Sequence, residues 1–259
     1  TQDDDIDTQE AWEYETGDST VIVGVIDSGI QHDHPDLYSN VWVNPGEDLD
    51  GDGVPWDADD FNGLDDDANS LVDDLIGWDF MNFQSGCWAG EDCNVPDNNP
   101  ADFAGHGTHV NGIVAAVSGN GVGVAGIAGG NRAAHRPGVK LMGLRAGYLA
   151  NTGQGFVIMS ACASAADYAI AKGAMGINCS WGSSGVLIQT AIANCVANGL
   201  VVCVAAGNDN TTSQAGNALS LVPGVLDVAS LDESGLKSGF SNYGTWVDIS
   251  APGNNIFNT

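Results

Sequence analysis

Short apolar runs of strand length alternate along this chain with longer stretches of helical periodicity, and the alternation predicts most of the elements. Residues 21–27 form an apolar run that ends in an aspartate. A helix is expected from His106, a strand at 139–145, a helix over 156–172 and a strand at 177–180. A helix over 186–198 and a strand at 200–205 follow, with further strands near 225–229 and 246–249. Strands that alternate with helices argue for a doubly wound, mostly parallel α/β sheet with helices on both faces, joined by right-handed crossovers. In such a sheet the active groups gather at the carboxyl ends of the strands. A chain of 259 residues is of a length for one such domain with a full core, so residues 1–259 are read as a single domain.

One interval breaks the rhythm. Residues 43–100 are crowded with Asp, Asn, Gly and Pro and poor in periodic apolar positions, and they read as a long acidic surface insertion. Loops of that length are uncommon unless something orders them, and metal ions and a disulfide are the obvious agents. The chain has 6 basic and 34 acidic side chains, a formal net charge of −28. That balance opposes nucleic acid and anionic membranes as partners. No apolar run approaches the roughly 18 residues that suggest a membrane span. Six cysteines, with Cys87 and Cys93 close together, suggest export to an oxidising compartment and a Cys87–Cys93 disulfide; for the other four, buried free thiols are nearly as good a reading.

Two motifs carry the chemistry. The first strand delivers Asp27-Ser28-Gly29, and the second block is Gly105-His106-Gly107-Thr108-His109-Val110, where a histidine opens an apolar helix. In this order they closely resemble the Asp and His blocks of the subtilisin-like serine protease family. The resemblance implies that His106 is the general base and that Asp27 orients it. Three further segments resemble the same family. Ala205-Ala206-Gly207-Asn208 implies an oxyanion donor at Asn208 and, in Ala205, Ala206 and Gly207, the wall of a pocket for the side chain before the scissile bond. Ser180-Trp181-Gly182 and Gly153-Gln154-Gly155 imply two strand edges that hold an extended peptide, with Trp181 where Leu is usual in the family. An apolar or aromatic preference is the default, and Asp209 leaves a basic one open. His109 on the same helix implies a packing residue by the resemblance, and it lacks the His-Glu-x-x-His spacing of a zinc pair. The family's Gly-Thr-Ser block does not occur among these residues, although the Ala251-Pro252-Gly253 segment that precedes it in the family does.

The insertion carries its own pattern. Asp48, Asp50, Asp52, Gly53 and Asp59 reproduce the spacing of an EF-hand loop, with Asp in place of the bidentate Glu and Pro55 against the usual loop path. A second cluster, with candidate ligands Asp65, Asp67, Asn69 and Asp73, has the same Asp-x-Asp-x-Asn opening. Oxygen ligands at this density select a hard cation, and calcium is expected within residues 48–74, the alternative being a solvated acidic loop. The family resemblance implies a separate calcium site at Gln2 and Asp36, with Asn120 as its weakest member.

The expectation is therefore a secreted, calcium-stabilised serine endopeptidase that cleaves proteins or peptides through an Asp-His-Ser triad. Its Ser is expected on a continuation or on a C-terminal fragment held as a second polypeptide, with a propeptide as a further partner. Loss of the nucleophile removes roughly six orders of magnitude in turnover, so these residues alone should be inactive. The alternative is a catalytically dead subtilisin fold that serves as a binding or structural protein. Intact Asp27, His106 and Asn208 count against it.

Overall fold

Seven strands, all parallel to their neighbours, form the frame of the molecule. The computed structural model describes residues 6–82, 85–214 and 216–259. After a short helix α1 (Thr8–Ala11), the strands of the main sheet are β1 (Ile22–Asp27), β2 (Gly77–Asp79), β3 (Lys140–Arg145), β6 (Gly176–Cys179), β7 (Val201–Ala205), β8 (Leu226–Leu231) and β9 (Ile249–Pro252). Two more, β4 (Gly147–Leu149) and β5 (Gly155–Val157), form a small antiparallel hairpin. The order across the sheet is β2-β3-β1-β6-β7-β8-β9. The chain thus starts at interior β1, crosses to the edge strand β2, returns through β3 beside β1, and then winds outward on the other side through β6 to β9. Register pairs Asp27 with Arg145 and Asp79 with Arg145, so β1, β2 and β3 end at one level. A reversal of this kind leaves a crevice at the carboxyl ends of the strands.

Both faces carry a core. On one, α3 (Met159–Ala171) and α4 (Val186–Ala197) bury Ala165, Ala169, Ile188 and Ile192 against Ile26, Leu144, Ile177 and Val202. The alanines let helix and sheet approach closely, while Ile192 fills the space between. Truncating such a fully buried Ile to Ala costs about 2–5 kcal/mol. On the other face, α2 (His106–Ala115) sits with Ile30, Leu37, Val41, Ile76 and Leu141. That layer covers the β1–β3 side. Toward β7–β9 the same face borders an open trough of about 400 Å³ that includes Cys203, Ala205, Ser230 and Ala251.

Three expectations are corrected. Residues 43–100 are not surface insertion throughout: β2 lies inside them as an edge strand of the sheet, and Leu75, Ile76 and Met81 are buried. Only a few apolar residues are needed for a three-residue strand, and acidic neighbours hide them from a periodicity reading. The helix expected over 156–172 begins at Met159, because Gly155, Phe156 and Val157 pair with β4 instead. The last strand runs Ile249–Pro252, not 246–249; Val247 is held in a turn by the Gly244 carbonyl.

Candidate active site

Asp27 ends β1 at the sheet's carboxyl edge, 3% exposed, and Gly105 precedes a helix whose first residue is His106. The two side chains meet: His106 Nδ1 lies 2.8 Å from Asp27 Oδ1, which also accepts the Ser28 N–H at 2.7 Å. The approach depends on Gly107. A Cβ there would lie 2.2 Å from the Gly29 carbonyl oxygen and 3.2 Å from the Asp27 Cβ. The Gly107 N–H also donates to Ser28 Oγ, which locks helix to strand. The hydrogen bond from His106 to Asp27 raises the histidine pKa above its ordinary value, against the opposing effect of burial. With Nδ1 committed to the carboxylate, proton transfer falls to Nε2.

His106 lies on the border of two cavities. The first, about 430 Å³, is walled by the β4–β5 hairpin through Tyr148 and Phe156 and by Ser180, Trp181 and Gly182 opposite. Gly153 and Gly155 line it too, so the two segments expected to flank a peptide do face one cleft. The Trp181 indole donates to the Ile26 carbonyl at 2.6 Å, which ties that wall to the strand that carries Asp27. The second cavity is the trough between α2 and the sheet, which Ala205, Ala206, Gly207 and Asn208 border together with His106.

The loop after β7 owes its shape to a residue that sequence reasoning gave no role. Asn242, 3% exposed, accepts the Asp209 N–H at 2.9 Å and donates to the Ala206 carbonyl at 2.9 Å, and so braces the turn that carries Asn208. Its only sequence signal is its position in the block before Ala251-Pro252-Gly253. Asp102 was also missed. It accepts the backbone N–H groups of Gly105 and Thr108 at 2.9 and 2.7 Å and fixes the start of α2. His109 stays outside the site, with Nε2 3.3 Å from the Ile256 carbonyl.

The acidic segment contains two convergent trios, Glu47 with Asp65 and Asp67, and Asp48 with Asp50 and Asp60, each with one carboxylate oxygen per residue within 4.8 Å of the others. Glu47 is fully buried, and burial with nearby Asp74 and Asp67 drives its pKa up to about 7. Glu47 Oε2, Asp67 Oδ1 and Asp60 Oδ2 are buried without a hydrogen-bond partner, so all-oxygen sites with unmet demand for positive charge fit a hard cation. The expected ligand set is corrected in part. Asp60 takes the place expected for Asp59, which is exposed, because the chain turns after Pro55 through Trp56 at φ 58°. Asp52 instead accepts the Val54 N–H, Asp73 those of Asn62 and Gly63, and Asn69 donates to Asp74. Asp52 and Asp73 thus belong to neither trio. Tyr168, on the last turn of α3, and Lys172, just after it, anchor the segment, Tyr168 through Asp74 and Lys172 through Asp67 and Asp74.

Asp36 is fully buried, and its carboxylate accepts Asn120 Nδ2 at 2.7 Å and the Val124 N–H at 2.8 Å. The structure thus joins two of the three residues expected there, and Gln2 lies outside the described residues. The expected Cys87–Cys93 disulfide is present, and Cys162, Cys179, Cys195 and Cys203 are free thiols.

A model of the subtilase family of peptidases matches residues 18–259. An extracellular protease of Xanthomonas campestris pv. campestris is 37% identical over 96% of this chain and 39% of its own length. Thermitase of Thermoactinomyces vulgaris is 31% identical over 98% of this chain and 70% of its own, and a thermophilic serine proteinase of a Bacillus strain is 30% identical over 97% and 48%. The chain thus spans less than half the length of two of these three relatives. Among solved structures, a protease from Pseudoalteromonas arctica superposes with a TM-score of 0.66 at 28% identity, over 96% of this chain and 67% of that one. Among the described residues, no helix is long and apolar enough to cross a membrane.

Proposed function

The chain belongs to the subtilase family of serine peptidases, and from that premise we propose that it carries the base, the orienting acid and the oxyanion donor of a secreted, calcium-stabilised endopeptidase. The observation that supports this most directly is the 2.8 Å contact of His106 with buried Asp27 on the border of two cavities. The nucleophilic Ser lies on a continuation of the chain or on a second polypeptide. A helix that carries it fits the open trough between α2 and the sheet, where its hydroxyl would face His106.

An extended peptide enters the cleft as an added strand between the β4–β5 hairpin and Ser180-Trp181-Gly182. His106 Nε2 takes the serine proton as the hydroxyl attacks the scissile carbonyl, and Asp27 stabilises the imidazolium that forms. The carbonyl oxygen becomes an anion that accepts a hydrogen bond from the Asn208 side-chain amide. His106 then gives its proton to the leaving amine, and water repeats the sequence on the acyl-enzyme. Ala205, Ala206 and Gly207 wall the pocket for the residue before the cut. The Glu47 and Asp60 trios would hold calcium, which would supply the positive charge that the acidic segment lacks, and Asp36 and Asn120 would contribute to a further cation site.

The test is a fluorophosphonate probe applied to the full-length gene product. A covalent adduct on one serine is expected, and His106→Ala should abolish it. Intact protein that takes up no probe would overturn the enzymatic reading in favour of a dead scaffold.

A further inference from the structure

The β4–β5 hairpin that forms one wall of the cleft has three residues per strand. A two-stranded ribbon this short does not hold its position alone. The outward edge of β4 is held by the disulfide-closed loop. The Trp88 N–H donates to the Leu149 carbonyl at 2.8 Å, and the Asn151 N–H donates to the Gly86 carbonyl at 2.7 Å. The Leu149 N–H is taken by a side chain, with both Glu91 carboxylate oxygens at 3.0–3.1 Å.

Glu91 is itself fixed to the sheet. Its carboxylate accepts Arg145 Nη2 at 3.1 Å, and the Arg145 Nη1 pairs with Asp79; all three side chains are at least 97% buried. Arg145 ends β3 at the level of Asp27. A continuous path of buried ionic contacts therefore runs from the strand end beside the triad acid to the backbone of the cleft wall. Cys87 and Cys93 close the loop around Glu91, so the carboxylate is presented with little freedom to lose.

We propose that the loop from Cys87 to Cys93 is a specificity clamp: through Glu91 it sets the position of the β4–β5 hairpin and so decides how firmly the enzyme grips the part of a peptide upstream of the cut. Glu91 is a positioning residue that touches Leu149 rather than substrate. The clamp deepens the protease reading and rests on it for its consequence, although its mechanical half does not.

Two measurements on the full-length protein separate those halves. Hydrogen exchange over residues 146–158 is compared in wild type, Glu91→Ala, Glu91→Gln and the double change Cys87→Ser with Cys93→Ser. Kinetics use two chromogenic peptides, with four residues or with one residue on the acyl side. Hairpin exchange should rise about tenfold in Glu91→Ala and in the double variant, with β1 and α3 unchanged, while Glu91→Gln, which keeps an acceptor for Leu149, recovers part of the protection. The kcat/KM ratio of long to short peptide should fall about tenfold, mainly through KM. Unchanged hairpin exchange in both variants overturns the clamp. An equal loss on the two peptides overturns its role in specificity. Hydrolysis of neither peptide by wild type counts against the protease reading, and the exchange result still decides the clamp.

Discussion

The sheet end around Asp27 and the acidic segment around Glu47 both bury carboxylates, yet the two regions are stabilised in opposite ways. Asp27 sits on a strand whose backbone is paired on both sides, and its one working oxygen is held by His106 and by the Ser28 N–H. The strand would keep its place without the charge. Around Glu47 the backbone is ordered by the carboxylates themselves, as where Asp48 holds Gly51 and Gly53 and Asp73 holds Asn62 and Gly63. Among the described residues, only Lys172 opposes the repulsion there by ion pairs, with Asp67 and Asp74. Charge is thus a functional instrument in one region and a structural burden in the other, so neutralising one region at a time should separate activity from stability.

The largest effect is expected from Asp27→Asn in the full-length protein. Turnover should fall about 10⁴-fold, since the imidazole loses its orienting anion, while the melting temperature stays within a few degrees. A large loss of stability would erase the contrast between the regions. Removal of calcium should do the reverse. A cation present at about a thousand times its Kd stabilises by about 4 kcal/mol, so excess chelator should lower the melting temperature by about 10 °C. Glu47→Gln should blunt that response, and an unchanged melting temperature in chelator would sink the calcium proposal. Asn208→Ala should lower kcat about 10²–10³-fold with little change in KM, and a pure KM effect would remove Asn208 from the oxyanion role.

The smallest effect concerns pH. The folded pKa of His106 is raised, chiefly by Asp27, so its charged form contributes stability that is fully present below the unfolded pKa and is lost as pH rises through the folded pKa. Activity runs the other way and should appear as His106 becomes neutral. An NMR titration should place His106 above 6.5, and Asp27→Asn should bring it down. A histidine that titrates identically in both proteins would show that the two side chains are uncoupled in solution.

Much of the site was legible because its parts are local patterns. The apolar run that ends in Asp27 and the glycine-flanked His106 that opens a helix each identify themselves within a few residues. Asn242 was not legible as a brace, because its partners Ala206 and Asp209 lie more than thirty positions away. Glu47 escaped for a similar reason. It precedes the Asp-x-Asp spacing, and only the fold of the segment brings it to Asp65 and Asp67. β2 was hidden by length, since three residues carry no periodicity.

By itself the sequence determined the α/β alternation, the family, and the identities of the residues that meet at the triad, because these depend on residue type and short-range spacing. The tertiary structure alone decided which carboxylates converge, as with Asp60 in place of Asp59, and which loop supports the cleft, as with Glu91 between Arg145 and Leu149. The physical reason is that convergence of side chains from distant segments depends on the backbone path between them. That path is set by turns, burial and charge balance acting on the whole chain at once.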